Sequence, residues 1–389
     1  MRVLHTGDWH IGKLVHGVHM TEDQRWVLDQ LIDLLEEERV EVLIIAGDVY
    51  DRSIPPTEAV ELLDQVLSQV VMKLGIKVIL ISGNHDSPDR LDFGGKLLKD
   101  QGLHIVGKLK IDQEPIVLED EFGEIHFHPI PYNDPAVTKA VYGMEGSVSH
   151  DEAMAEILSA IRKRMDESVR NVVVSHGFVV GSKDPETSES ERPLSIGGTE
   201  YVKVKHFDGF DYVALGHLHR PQKVGKETIR YAGSLLKYSF SEAQQHKSIT
   251  LLDLKEKGNI IIREKNLAPR RDLRVIQGSL DDLLNKEVYT LGNQTDYIHA
   301  ILTDQEKLYE PMQKLRSVYP NILQLERERS EQERTLSSFL QREMIGKDPT
   351  DLFSEFYSKV TGGNVLSQQA QRAFEKVFSE IQQEERDNT

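Results

Sequence analysis

Gly216-His217-Leu218-His219 places two imidazoles one residue apart, directly after the apolar run Tyr212-Val213-Ala214-Leu215. In extended backbone the side chains at i and i+2 point the same way, so both rings would face one site. Two histidines after a strand are unremarkable alone; the recurrence of the pattern carries the signal. Asp8 and His10 follow Val3-Leu4-His5-Thr6, and Asp48 follows Val42-Leu43-Ile44-Ile45-Ala46. Asn84 and His85 follow Val78-Ile79-Leu80-Ile81-Ser82, and His176 follows Val172-Val173-Val174-Ser175. Each apolar run stops at a potential metal ligand, in most cases through a glycine. Open α/β sheets bind their ligands beyond the carboxyl ends of their strands, where these residues would collect.

The candidate metal ligands are Asp8, His10, Asp48, Asn84, His176, His217 and His219. Nitrogen and oxygen donors without sulfur suit two hard-to-borderline divalent ions, and the imidazoles favour manganese, iron or zinc over magnesium. Asp48, central in the order of strands, is the carboxylate placed to bridge them. Two ions about 3.5–4 Å apart can clamp a phosphate and lower the pKa of a shared water. His85, beside Asn84, falls just outside such a pair, where an imidazolium can donate to a leaving or equatorial phosphate oxygen. Asp51 is a candidate to orient that ring, or alternatively a helix cap. Asp86 reads as a cap. His5 and His126 lie within strands, and His16, His19, His104 and His128 lack a motif, so these are read as structural; His206 is unpaired but near the Gly216 turn.

The elements that must position these residues alternate up to about residue 265. Thr21-Glu22-Asp23-Gln24 has the form of a capping box, and Trp26-Val27, Leu31, Leu34 and Leu35 recur at helical spacing. Pro55-Pro56-Thr57 sets up a second helix with Glu58 and Glu61 in its first turn. Strand, helix, strand, helix, strand predicts a parallel α/β sheet. Ile125 to Ile130, Thr228 to Ala232, Ser248 to Leu254 and Asn259 to Glu264 read as strands without intervening helices, which predicts a mixed second sheet packed on the first. Ser182 to Arg192 reads as a mobile polar loop. Pro269-Arg270-Arg271 marks a boundary, after which strand-like and helix-like stretches predict a small α/β domain. The expected domains are therefore 1–268, 269–325 and a charged linker with a helical hairpin at 326–389.

Composition sets the outer limits. Of 389 residues, 39% are hydrophobic and 29% charged, as in ordinary globular proteins. There is no cysteine, which excludes disulfides, thiolate metal sites and a cysteine nucleophile. No apolar run approaches the roughly 20 residues of a membrane-spanning helix. Met1 to His10 already reads as a core strand ending in ligands, leaving no room for a signal peptide, so a cytoplasmic location is expected. A net charge of −17 argues against coating nucleic acid by bulk electrostatics. It does not exclude a nuclease, because metals neutralise acidic ligands and a local basic stripe can act within an acidic whole. Lys203, Lys205, Arg220, Lys223, Lys226, Arg230 and Lys237 are candidates for such a stripe, with an ordinary solvated face as the alternative.

Gly7-Asp8-x-His10, Gly47-Asp48-x-x-Asp51, Gly83-Asn84-His85-Asp86, His176-Gly177 and Gly216-His217-x-His219, in this order, resemble the signature blocks of the calcineurin-like metallophosphoesterases. The segments L-H-T-G-D-W-H-I-G, A-G-D-V-Y-D-R-S-I-P-P, D-Y-V-A-L-G-H-L-H-R-P and Y-A-G-S-L resemble, more narrowly, the nuclease subunits of bacterial DNA repair complexes. The resemblance implies a four-layer sandwich of two β-sheets flanked by helices. It implies one metal held by Asp8, His10, Asp48 and His219, a second held by Asp48, Asn84, His176 and His217, and His85 as the catalytic histidine. It further implies a Mn-dependent double-strand 3'-5' exonuclease and single-strand or hairpin endonuclease. Its implied assembly is a homodimer within a heterotetramer, whose coiled-coil ATPase subunit docks on the C-terminal helical hairpin. The chain has no G-x-x-x-x-G-K-[ST], so ATP would be used only by that partner. Position 52 is Arg, where some relatives have a histidine, which bears on endonuclease geometry. The alternatives are a phosphoprotein phosphatase or cyclic-nucleotide phosphodiesterase with the same metal pair, and a non-catalytic scaffold, which should show degraded ligands.

Overall fold

The computed structural model describes residues 1–191, 201–328, 349–361 and 363–387. The chain divides into two compact units, Met1–Glu326 and Arg327–Thr389.

Val42–Ala46 shows why the first unit folds as it does. Every residue of this V-L-I-I-A run is buried. Val42, Ile44 and Ala46 face one apolar core, while Leu43 and Ile45 face another. A strand covered on both faces needs an uninterrupted apolar run, and parallel neighbours supply both covers. It lies between Arg2–Thr6 and Lys77–Ile81, parallel to each, and Leu103–Val106 extends the sheet in parallel. Ser248–Leu254, antiparallel to Arg2–Thr6, and Ile260–Asn266, antiparallel to Ser248–Leu254, complete this six-stranded sheet on the other side.

The second six-stranded sheet is also mixed. Gly123–Ile130, Arg170–His176, Tyr212–Gly216 and Lys226–Tyr231 run parallel, with Ile116–Asp120 and Gln222–Val224 antiparallel at the edges. Val3, Ile79, Phe127, Val172 and Ala214 belong to the core between the sheets. Helices Thr21–Glu37 and Thr57–Ser68 cover the outer face of the first sheet, and His150–Arg162 covers that of the second. The result is the expected four-layer sandwich. His5 forms a polar tie inside it: its Nδ1 lies 3.0 Å from the Tyr212 hydroxyl and its Nε2 3.1 Å from the Leu215 carbonyl, bridging the two sheets. Burial pushes its pKa down to about 3, so the ring is neutral.

The capping box at Thr21 does not form. The helix begins after Met20 without a side-chain cap, because its first-turn polar groups are used elsewhere. Asp23 receives Arg271 at 2.9 and 2.7 Å and the Tyr297 hydroxyl at 2.8 Å, fastening the next domain to the helix. Trp26 is half exposed, its indole donating to the Ala268 carbonyl.

Leu273–Gly278, Tyr297–Leu302 and Ile322–Arg327 form a separate three-stranded sheet. Its own core contains Leu280, Leu283, Ile298, Leu315 and Tyr319. In the second unit, helices Pro349–Val360 and Gln368–Asp387 form a hairpin in which Phe353 and Phe374 stack at 4.2 Å. Phe356 does not join that stack and is 62% exposed. The expected tether from Glu326 to Arg334 lies outside the described residues beyond 328. Among the described residues no helix is long and apolar enough to cross a membrane.

Candidate metal centre

Five strand ends converge, and their loops are held in unusual backbone. Asp8, His10, Asp48 and His217 have φ values of 53°, 45°, 48° and 109°. Non-glycine residues in that region cost on the order of 1–3 kcal/mol each and persist only where surrounding contacts impose them. Those contacts are present: Asp8 N–H donates to the Gly47 carbonyl at 3.0 Å and His10 N–H to that of Asp48 at 2.9 Å, lacing the first two loops together. Gly216 packs against the Ala46 carbonyl so closely that a Cβ has no room. That glycine brings the two sheets together at the site.

The predicted ligands are all brought together here. Asp8, His10 and His219 offer ligand atoms within 4.8 Å of one another, and so do Asp48, His176 and His217. The Asp8 carboxylate accepts the His217 N–H at 2.9 and 3.1 Å. Asp48 Oδ2 lies 3.5 Å from His176 Nε2, 3.6 Å from His10 Nε2 and 4.0 Å from His85 Nε2. It therefore stands between the two groups. Asn84 Oδ1 is 2.9 Å from His176 Nε2 and 3.2 Å from His217 Nδ1.

The donor set fits divalent cations. His176 Nδ1–H donates to the Ala46 carbonyl at 2.9 Å, which leaves the Nε2 lone pair facing the Asn84 oxygen. His10 Nε2 meets His219 Nε2 at 3.0 Å, while His10 Nδ1 is buried with no hydrogen-bond partner. Burial, then neighbouring imidazoles and Lys13, hold the His10 pKa well below its usual value, and burial does the same to His217. Burial, and then the Asp48 charge, push Asp8 well above the carboxylate range. Neutral imidazoles and crowded carboxylates aimed at one point are stabilised by a cation between them.

His85 is oriented by Asp51, but through the backbone: its Nδ1 donates to the Asp51 carbonyl at 2.7 Å. The Asp51 carboxylate faces Lys13 Nζ at 2.8 Å and His10 Nδ1 at 3.6 Å. Asp86, expected as a cap, is buried and accepts the N–H groups of Val49, Tyr50 and Gly83 at 3.1, 2.9 and 2.9 Å. It ties the Asp48 loop to the Asn84 loop. Burial and the Asp48 charge raise its pKa to about 7.

Three other groups have no counterpart in the sequence expectations. Gln24 donates to the Trp9 and His10 carbonyls at 3.2 and 2.7 Å and accepts the Gly12 N–H at 3.0 Å, holding the first loop. Glu242 and Lys247, buried and 2.6 Å apart, lie behind His219. Their sequence neighbourhoods contain no motif; only the tertiary fold brings them to the site.

One expectation is corrected, and the basic candidates carry acidic partners: Lys203 pairs with Asp151, Lys226 with Asp208, Lys223 with Glu227, Arg220 with Glu186, Arg230 with Glu264 and Lys237 with Asp272, as on an ordinary solvated face. Only Lys205 among the candidates has no such pair described. The loop expected to be mobile is pinned through residue 191, with Glu186 N–H on Gln222, Glu189 N–H on Ser241 and Glu191 Oε1 on the His219 N–H. Arg192 lies outside the described residues.

The model of the calcineurin-like phosphoesterase family matches residues 1–221, and the chain belongs to that family, whose members use dimetal sites to hydrolyse phosphoesters. Residues 269–361 match the SbcD C-terminal model, described as the type 5 capsule protein repressor C-terminal domain. The two matches along one chain support an SbcD-type nuclease subunit. Among solved structures, the chain is similar to a Thermus thermophilus protein at 11% identity and TM-score 0.39, covering 68% of this chain and 98% of that one. It is similar to a phosphopantetheinyl hydrolase of Mycobacterium tuberculosis at 16% and 0.36, covering 68% and 95%. A dimetal phosphatase of Danio rerio is similar at 11% and 0.38, covering 68% and 96%. Likenesses this distant carry no information on substrate.

Proposed function

We propose that this chain is the SbcD-type nuclease subunit of a DNA repair complex, a Mn-dependent double-strand 3'-5' exonuclease and single-strand or hairpin endonuclease. The observation that carries the reading is the convergence of Asp8, His10, Asp48, Asn84, His176, His217 and His219 on one point, in a chain that also matches the SbcD C-terminal model. One ion would be held by Asp8, His10, Asp48 and His219, and the other by Asp48, Asn84, His176 and His217. When bound, the pair supplies Lewis acidity and an activated water for attack on a phosphodiester. The chain's own part is placement and proton supply. The Asp51 carbonyl fixes His85 Nδ1, so its Nε2 side faces the site beside Asp48, where it can donate a proton to the leaving oxygen. Asp86 and Gln24 hold the loops so that little reorganises on substrate binding.

An SbcC-type coiled-coil ATPase supplies the ATP-driven work on duplex DNA, docking on the hairpin of the second unit, whose Phe356 and Val365 are exposed. The chain forms a homodimer within a heterotetramer: of the apolar residues Val60, Leu63, Leu67, Val70, Leu91, Phe93, Leu97 and Leu98 on and beyond helix Thr57–Ser68, Leu63, Val70 and Leu91 are buried in the core and Leu67 packs against it, while Val60, Phe93, Leu97 and Leu98 are left exposed. Sedimentation showing only monomer at micromolar concentration would remove the dimer. The function itself is tested by assaying duplex, hairpin and single-stranded DNA beside phosphoprotein and cyclic-nucleotide substrates, with Mn2+ and with or without the ATPase. Cleavage of single strands and hairpins is expected from the chain alone, with processive duplex degradation only in the complex. Hydrolysis of phosphoprotein with intact DNA would replace the nuclease reading by a phosphatase.

A further inference from the structure

Glu242 is a fully buried carboxylate in a short turn, Phe240–Glu242, that none of the recognised motifs contains. Its Oε1 lies 3.3 Å from His219 Nδ1 and accepts hydroxyl protons from Ser188, at 3.2 Å, and from Ser190. Ser190 Oγ is itself 2.7 Å from His219 Nδ1, so carboxylate, hydroxyl and imidazole form a closed set. The other carboxylate oxygen receives Lys247 Nζ at 2.6 Å, and the same ammonium donates to the His219 carbonyl at 2.7 Å. Glu191 completes the enclosure by accepting the His219 N–H at 2.7 Å. Side chain and backbone of this one histidine are therefore gripped from three stretches of chain: 188–191, 242 and 247.

The chemistry of that grip is specific. A carboxylate and a hydroxyl already committed to it both draw a proton to His219 Nδ1, which leaves Nε2 as the lone-pair nitrogen. Nε2 is the atom that faces His10 Nε2 at 3.0 Å, on the side of the Asp8 carboxylate. Partners on the remote nitrogen of a ligating imidazole fix its tautomer and raise its basicity. Two other histidines of the centre have weaker arrangements: His176 has a backbone carbonyl on Nδ1, and His10 Nδ1 has no hydrogen-bond partner, with the Asp51 carboxylate 3.6 Å away.

We propose that Glu242, acting directly and through Ser190, is a positioning residue that fixes the tautomer and orientation of His219, with Nε2 turned to the centre, and makes the Asp8–His10–His219 site the tighter of the two. The loop 182–191 is thereby part of the metal site, docked by Ser190 and Glu191, and Lys247 holds the buried carboxylate in place. This rests on the dimetal reading above.

The test is Mn2+ binding measured by calorimetric titration of the full-length protein, with circular dichroism and a thermal melt on each sample. Glu242→Gln strands the buried Lys247 ammonium, so it is paired with the double variant Glu242→Gln/Lys247→Met, which removes both charges together. Ser190→Ala, which leaves the Glu242–Lys247 pair intact, is titrated in parallel. A folded double variant should still bind two ions, with the tighter site weakened about 10–100-fold and the other unchanged. Ser190→Ala should weaken the same site by a smaller factor, and it decides the matter alone if the double variant does not fold. Wild-type affinity at both sites in a folded variant, or weakening of the other site instead, overturns the proposal. Wild-type protein that binds no Mn2+ at all would instead overturn the dimetal reading on which it stands.

Discussion

Gly216→Ala puts a methyl group where the two sheets touch. The added Cβ would meet the Ala46 carbonyl oxygen well inside van der Waals contact and stand 2.9 Å from His176 Nδ1. That carbonyl is the acceptor that orients His176, so the strand carrying His217 must retreat or the His176–Ala46 bond must break. Overpacking a tight core costs about 1–3 kcal/mol and leaving a buried polar group unpaired about 1–3 kcal/mol more. A loss of roughly 2–6 kcal/mol is therefore expected, a large share of the ~5–15 kcal/mol that holds a domain folded. Gly177, the glycine of the neighbouring motif, is the control, because nothing lies within 4 Å of a Cβ added there. Urea unfolding of both variants, with Mn2+ titration of the folded proteins, separates stability from site geometry. Gly216→Ala should show a lower midpoint at unchanged m-value and weaker metal binding, while Gly177→Ala stays within about 0.5 kcal/mol of the parent. If the two variants unfold alike and bind metal alike, the contact between Gly216 and Ala46 does not set the site.

Asp48→Ala should lose both ions, since its carboxylate lies between the two groups of donors, and His85→Ala should keep both while cleavage falls by about 10²–10⁴-fold. Metal analysis beside a nuclease assay checks this, and a metal-free or fully active His85→Ala protein refutes it. Asp86, with its pKa raised to about 7 by burial and then by Asp48, makes the metal-free protein lose stability as pH rises through that value. The sign follows because the folded state holds a proton that the unfolded chain releases near pH 4. Denaturation midpoints at pH 5 and pH 8 should differ in parent protein, and Asp86→Asn should flatten the difference; an equal pH dependence in both removes Asp86 as its source. Phe356→Asp, on the exposed side of the hairpin, should reduce co-purification with the coiled-coil ATPase without changing single-strand cleavage by the chain alone. Undiminished co-purification would place the docking surface elsewhere.

The strand ends were legible because the signal is local. Val42–Ala46 announces a doubly covered strand by composition alone, and the residue after its glycine is then placed by the fold class. The groups that hold those residues in place were not legible, for a physical reason. Gln24 lies on a helix whose first turn has capping-box form, and nothing local says that its amide serves the His10 loop instead. Glu242 and Lys247 lie 23 and 28 positions from His219 in an unremarkable polar stretch, and only the tertiary fold gathers them. Asp86 sits inside a recognised motif, yet a cap and a three-way backbone clamp have the same sequence form. The basic candidates were legible only one at a time, for the acids that pair with them come from segments such as Asp151 and Glu264.

The pairing of Arg2–Thr6 with Ser248–Leu254, Leu4 opposite Leu251, sets a timetable for synthesis. The strand that leads into Asp8 and His10 leaves the ribosome before every other strand of its sheet, yet one of its edges has no partner until Ser248–Leu254 has been made. During that interval its unpaired N–H and C=O groups are an open template for other extended chains. Released chains truncated before residue 248 should therefore be protease-sensitive and unable to retain Mn2+, and chains truncated past residue 266 should be neither, so that the metal is held only when the first strand of the sheet has met one of its last.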